Sequence, residues 1–266
     1  MPPLLGALSR LGRLMLAVTV LLVLAFLSGA AGAEPLKVMS AGAVSEGLKV
    51  LAAGYTKSSG VEVTLVIGNV GMIQDRLKAG EATDVLILSA SALAEIARSD
   101  GLAAGGAVPL GRIGMGLAAK AGAARPDIST AAGFKAALLA AKSIAYSDPA
   151  GGGSSGIYFD ALVQKLGIAD EIRGKAVLIR GGSAADRVAS GEAELAVQNV
   201  SELLHVPGVM LVGPFPAAYQ NYALYVAGVS ASSAQPQRAE GFIEYITAPA
   251  AAEAWTAAGV VPATVN

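Results

Sequence analysis

The sequence predicts an α/β protein of two lobes, each a mostly parallel sheet flanked by helices, with a ligand cleft between them. Three observations predict it. Short apolar or β-branched runs alternate with helical patterns from Leu36 to Ser99 and again from Ala131 to Gln198. Such alternation builds parallel sheets covered by helices on both faces. Between the blocks it pauses at a glycine- and alanine-rich stretch, 101–108, and an apolar strand, Ile113 to Ala118, then crosses from one lobe to the other. The chain is also long enough for two cores: 266 residues, of which 233 remain beyond a 33-residue leader.

Each element has a local reason. Leu36 to Ser40 is a short buried strand, and Ser45 to Lys57 a helix with Leu48, Leu51, Ala52 and Tyr55 on one face. Val61 to Ile67 is the second strand. A Gly68-Asn69-Val70-Gly71 turn leads into helix Met72 to Lys78, with Met72, Ile73 and Leu77 expected to pack. Strand Asp84 to Leu88 and helix Ser91 to Ser99 close the first block. Ala121 to Thr130, with Pro126, is a surface connection. The second block runs through helix Ala131 to Ala140, strand Ser143 to Ser147, helix Gly156 to Leu166, strand Ala176 to Arg180, helix Ala184 to Ser190 and strand Leu195 to Gln198. Strands Gly208 to Val212 and Tyr222 to Val229 follow, then helices Ala234 to Thr247 and Ala250 to Ala257 around Tyr245 and Trp255. The tail beyond about residue 226 is expected to return to the first lobe. The expected division is residues 34–112 plus 226–266 for lobe 1 and 113–225 for lobe 2.

The first 33 residues read as a secretory signal. Arg10 and Arg13 are its positive region, Leu14 to Leu27 its apolar run, and Ala31-Gly32-Ala33 its cleavage site. Export to the periplasm, with cleavage near Ala33, is the expectation. No later apolar run approaches the ~18 residues of a membrane span. Without the two leader arginines, 17 basic residues face 20 acidic ones, a net charge of −3. There is no basic block, so nucleic acid is not an expected partner. With no cysteine and one histidine, disulfides, thiolate sites and multi-histidine metal sites are excluded, and no cofactor is expected.

Three strand-to-helix turns carry the chemistry. In Ser40-Ala41-Gly42-Ala43-Val44-Ser45, a serine can cap the helix and Gly42 allows close backbone approach. Asn69 in the second turn offers an amide, or serves as an ordinary turn residue. The third turn, Ser147-Asp148-Pro149-Ala150-Gly151-Gly152-Gly153-Ser154-Ser155-Gly156, exposes backbone N–H groups and two hydroxyls at a helix start, where anions are favoured. Gly151, Gly153 and Gly156 also fit the dinucleotide pattern, with Asp170 near the spacing of its acid. However, the match lies mid-chain and Asp170 follows a helix instead of ending a strand. Arg112, at the crossover, and Arg180, at a strand end, would each bind a carboxylate with paired hydrogen bonds if they face the cleft; otherwise they are solvated surface groups. Gln198 and Asn199 end a strand before Ser201, as cleft amides or as a helix cap. His205 reads as a surface or loop residue, and Glu192 and Glu194 as a solvated face.

These segments together resemble the periplasmic molybdate-binding proteins, the capture subunits of ATP-driven importers. The resemblance is carried by Ser40 to Leu48, by Leu77-Lys78-Ala79-Gly80-Glu81-Ala82-Thr83-Asp84-Val85, and by Asp148-Pro149 with Ser155-Gly156-Ile157-Tyr158. Leu166-Gly167, Gly191-Glu192-Ala193-Glu194-Leu195 and Tyr245-Ile246-Thr247-Ala248-Pro249-Ala250-Ala251-Ala252 extend it along the chain. It implies two hinged lobes of the type II periplasmic binding fold, closure on a small anion, a membrane permease as partner, and a monomer. Ser40, Gly42, Ala43, Asn69, Val70, Gly71, Arg112, Ser154, Ser155, Gly156, Tyr158 and Gln198 are the expected ligand-binding residues.

The family's serine hydroxyls fall here on Ala43 and Gly71, its tyrosine on Gln198, and its backbone amide on Ser155. Each hydroxyl lost costs an oxyanion ~1–3 kcal/mol of unmade hydrogen bonding. The expectation therefore leans to an organic di- or tricarboxylate, with molybdate or tungstate as the alternative. No chemistry on the ligand is expected. An exported enzyme using Ser154 or Ser155 as nucleophile is the remote alternative, because the sequence offers no evident base.

Overall fold

The computed structural model describes residues 34–263, so the leader and its cleavage site lie outside the described residues. The chain runs β1 (Leu36–Ala41), α1 (Ser45–Ser59), β2 (Val63–Gly68), α2 (Val70–Lys78), β3 (Val85–Ser89), α3 (Ala90–Arg98) and the long β4 (Val108–Lys120). It continues through α4 (Ala131–Ala140), β5 (Ile144–Ser147), α5 (Ser154–Lys165), α6 (Ala169–Arg173), β6 (Ala176–Ile179), α7 (Ala184–Ala189) and β7 (Leu195–Asn199). The remainder is α8 (Val200–Leu203), β8 (Val209–Pro214), β9 (Tyr222–Val229), α9 (Pro236–Thr247), α10 (Ala252–Ala257) and β10 (Val261–Pro262).

The described strands join in the order β2-β1-β3-β9-β4-β7-β5-β6, with β8 and β10 also paired to β4. Parallel pairs are the product of the βα blocks: β1 with β2 and β3, and β5 with β6 and β7. The middle is antiparallel, because β9 runs against both β3 and β4, and β4 runs against β7 and β8. Each half is therefore a parallel sheet with antiparallel strands at its inner border. β4 changes partners along its length: residues up to Gly114 pair with β9, and those from Met115 pair with β7. At that point the Gln220 side chain imitates a strand. Its Oε1 accepts from Met115 N–H at 2.7 Å and its Nε2 donates to the Met115 carbonyl at 3.0 Å.

The core divides the same way. One cluster gathers residues from β1 to Ile113 together with Tyr225 to Val260; a second gathers Met115 to Phe215 around Phe134, Tyr146 and Phe159; a small third lies under α7. In the first cluster α1 packs on α10 through Gly47, where any Cβ would lie 2.6 Å from the Trp255 ring. The indole Nε1 donates to the Ile246 carbonyl at 2.8 Å, which settles the buried polar edge of that ring. Val226–Val229 pair with β3, and Val226, Ala227 and Val229 belong to this cluster with Phe242, Ile246 and Trp255. One packing expectation is corrected: Ile73 is fully buried, but Met72 is 40% exposed, because that face of α2 borders the cleft.

Candidate functional site

Two adjoining cavities lie where the ends of the two half-sheets face each other. The larger holds about 480 Å³, within the usual range for small-molecule sites. Gly42, Ser45, Lys49, Asn69 and Met72 line it from the first half, and Ser147, Ser183, Gln198, Ser201, Glu202 and His205 from the second. The smaller, about 30 Å³, lies among Ala43, Val70, Ser154, Ser155, Asn199 and Tyr225. Gly42, Asn69, Ser147 and Glu202 border both.

The two sides touch. Asn69 caps α2, its Oδ1 accepting from Met72 N–H at 2.8 Å, while its Nδ2 donates to the Arg180 carbonyl across the cleft at 2.9 Å. Gly71 lies against the third turn so closely that a Cβ would come within 2.7 Å of the Gly151 carbonyl oxygen. These contacts describe a closed cleft.

The expected site residues divide between those that border the cavities and those that support them. Gly42, Ala43, Asn69, Val70, Ser154, Ser155 and Gln198 line one or both. Ser40 is fully buried and its hydroxyl donates to the Ala41 carbonyl, so it holds the first turn instead. Gly156 packs α5 onto β5, where a Cβ would collide with the Ser147 carbonyl oxygen. Gly71 is the contact just described. The Tyr158 hydroxyl donates to the Tyr219 carbonyl at 2.8 Å, away from both cavities. Arg112 is exposed on β4 between Leu224 and Val261 and borders neither cavity. Arg180 is 84% exposed, its Nε donating to Asp148 Oδ2 at 3.0 Å. Neither arginine therefore supplies the carboxylate clamp.

What the sequence did not disclose is Glu202, on α8. Its Oε1 accepts from Gln198 Nε2 at 2.8 Å and its Oε2 from Asn199 Nδ2 at 2.7 Å. Asn199 thus spends its amide on Glu202 and makes no side-chain cap. Gln198 is fully engaged: its Oε1 accepts from Ala184 N–H at 2.6 Å, and its Nε2 also reaches the Gly182 carbonyl at 3.2 Å. Among the described residues Glu202 forms no ion pair. Desolvation pushes its carboxyl up to about 7, against an ordinary 4.5, although the bonds from Asn199 and Gln198 pull the other way. Burial, reinforced by Glu202, also raises the Tyr225 hydroxyl. Across the cleft from Glu202 stands Gly42, whose missing Cβ would lie 3.1 Å from Oε1. Ser201, 4% exposed, borders the larger cavity with a hydroxyl that has no hydrogen-bond partner. The signal of Glu202 in the sequence was the spacing Asn199-x-x-Glu202, which resembles an ordinary capping box.

Residues 36–261 match the family model described as bacterial extracellular solute-binding protein. A Pseudomonas protein named aconitate isomerase is 33% identical over 258 residues, covering 95% of each chain. The periplasmic molybdate-binding protein of Azotobacter vinelandii superposes with a TM-score of 0.73 at 22% identity, over 86% of this chain and all of that one. The sulfate-binding protein of Mycobacterium tuberculosis gives a TM-score of 0.68 at 15% identity, over 88% of both chains. The fold is that of the type II periplasmic binding proteins. One expectation is corrected: a ligand left chemically unchanged does not fit a relative of this closeness that is named as an enzyme. The serine-nucleophile alternative is remote in the sequence for want of an evident base; the cleft also holds a carboxyl, Glu202, that desolvation raises to about 7. The chain belongs to the bacterial extracellular solute-binding protein family.

Proposed function

We propose that this protein isomerises a small unsaturated tricarboxylate of the aconitate class, held between two lobes that close on it. The observation that carries this reading is the likeness to aconitate isomerase over 95% of both chains. The cleft is chemically suited to it. The larger cavity has room for a small polycarboxylate, and the Ser201 hydroxyl and the backbone N–H groups at the start of α5 supply neutral donors for its carboxylates. Shifting a double bond along a three-carbon chain requires one proton to leave and one to return, with no cofactor. The lobes are residues 34–112 plus 226–266 and residues 113–225, hinged where β4 and β9 pass between them. Export, removal of the leader near Ala33, a monomeric state and docking on an importer's permease belong to the same reading.

The test is to add trans- or cis-aconitate to the purified protein and follow the vinyl proton by NMR. Conversion of one isomer to the other supports the reading. Binding of aconitate without conversion, or a melting shift with molybdate or tungstate and none with any tricarboxylate, overturns it. A ligand at 100-fold its Kd adds about 2.7 kcal/mol of stability, so the shift is easily seen.

A further inference from the structure

We infer that Glu202 is the catalytic residue of this cleft, the group that takes a proton from the substrate's methylene carbon and returns it to the far end of the shifted double bond. The inference rests on the isomerase reading above and assigns its proton transfer to one side chain.

Four observations single out Glu202. Its carboxyl borders both cavities, so it is reachable from wherever a ligand sits in the cleft. Both oxygens are held by side-chain amides, Gln198 at 2.8 Å and Asn199 at 2.7 Å, which fix its direction and favour its ionised form less than a full positive charge would. An arginine or lysine in their place would lock it as a carboxylate too weak to act as a base. The residue facing it is a glycine, and because a Cβ there would stand only 3.1 Å from Oε1, the missing side chain lets the first turn come close to the carboxyl without crowding it. The hydroxyl of Ser201, next to it in the chain, is buried beside the larger cavity with no partner, as a donor awaiting a ligand oxygen would be. The other acids at the larger cavity are differently placed. Glu46 is tied to Lys49 at 2.7 Å and its carboxyl is held below the usual range, and Asp186 lies on the outer rim at α7.

The chemistry balances on this one group. The substrate carries a methylene flanked by a carboxylate and by a carbon–carbon double bond. Ionised Glu202 takes one methylene proton, and the C–H electron pair enters the adjacent π-system. The result is a three-carbon allylic anion with charge spread onto the terminal carboxylates. The hydroxyl of Ser201 and the first-turn N–H groups of α5 are the donors placed to receive that charge. Protonated Glu202 then delivers a proton to the other terminal carbon. The double bond has moved, the former double bond is now free to rotate, and Glu202 is again ionised. A carboxyl with a pKa near the working pH suits both halves of the step. The other titratable groups around the two cavities are Glu46, Lys49, Asp186, His205 and Tyr225.

The test compares the full-length protein with Glu202→Gln and Glu202→Asp, measuring kcat and KM for aconitate, its Kd by calorimetry, and the melting temperature. General-base removal typically costs 10²–10⁴-fold in rate. We expect Glu202→Gln to lower kcat at least 100-fold with Kd changed less than fivefold. Glu202→Asp should keep a carboxylate's activity, at least tenfold above the glutamine variant. Equal kcat in the two variants, or a glutamine variant keeping more than a tenth of wild-type kcat, overturns the assignment while leaving the isomerase reading intact. Wild-type protein that binds aconitate without converting it overturns both. Should the glutamine variant not fold, the wild-type profile decides: kcat rising through pH of about 7 supports Glu202, and a flat profile from acid to neutral pH overturns it.

Discussion

The two walls of the cleft are built on opposite principles. Around the smaller cavity the wall from the first half is made largely of absence: Gly42, Ala43 and Val70 contribute backbone and space beside Tyr225, and Asn69 is occupied by Met72 and Arg180, while Ser45, Glu46 and Lys49 stand only at the larger cavity. The wall from the second half carries a largely hydrogen-bonded polar cluster, with Ser147, Ser183, Gln198, Ser201 and Glu202 on three neighbouring segments. On the isomerase reading proposed above, closure falls mainly to one half and chemistry to the other. One wall must come close enough to exclude water; the other must hold its side chains in fixed directions. A small residue is the right choice for the first task and a hydrogen-bonded cluster for the second.

The sharpest way to break this comparison is to add bulk to the spare wall. Gly71→Ala places a methyl 2.7 Å from the Gly151 carbonyl oxygen and 3.1 Å from Gly152 Cα, both backbone atoms that cannot step aside cheaply. Alanine is also the better helix former by about 1 kcal/mol, so the ligand-free fold should not suffer. We expect at least a tenfold loss of ligand affinity with an unchanged or slightly raised Tm; unchanged affinity would show that the cleft does not need this contact to close. The second change removes a group from the reactive wall. Ser201→Ala deletes a buried hydroxyl that bonds nothing, so stability should hold or rise. A single lost hydrogen bond of roughly 1 kcal/mol to a ligand predicts about a fivefold weaker Kd by calorimetry. A destabilised variant with unchanged affinity would place the hydroxyl in the core instead.

A third prediction concerns pH. Glu202 is raised from 4.5 to about 7 in the folded protein, so between those values the folded state holds more protons than the unfolded one. Stability from this group is fully present below pH 4.5 and is lost as pH rises through about 7. Melting curves of wild type and Glu202→Gln should therefore differ in slope across this window, with the glutamine variant the flatter of the two. Parallel curves would show that Glu202 is not desolvated. The smallest effect belongs to Arg112→Ala. With its side chain exposed on β4 outside both cavities, ligand affinity should change less than twofold. A larger loss would return Arg112 to the site.

Much of the architecture was legible because periodicity reports burial. Strand β9 and helix α4 have the bounds their patterns indicate, Tyr222–Val229 and Ala131–Ala140. Strand β4 is longer than its apolar run, because its first residues pair at the edge with β9 and β10 while partly facing solvent. The antiparallel border strands were not legible, since direction depends on how far a connection travels. The glycine-rich third turn drew attention for its exposed amides, yet several of its glycines answer to steric need. Gly153 and Gly156 lie against Ser147, and Gly152, at φ 74°, lies against Gly71. Glu202 escaped because chain-local reasoning sees a polar helix start, while its importance comes from Gln198 four residues earlier and Gly42 on the far wall. Arg112 misled for the complementary reason: an arginine at the crossover is suggestive in one dimension, but its side chain is exposed outside both cavities in three.

The measurement that tests the account most directly is NMR of the wild-type protein with a single aconitate isomer, followed by the same spectrum with Glu202→Gln. The account predicts appearance of the other isomer in the first sample and its absence in the second, with both proteins binding the substrate. Tight binding by the wild type with the substrate unchanged after prolonged incubation would contradict it.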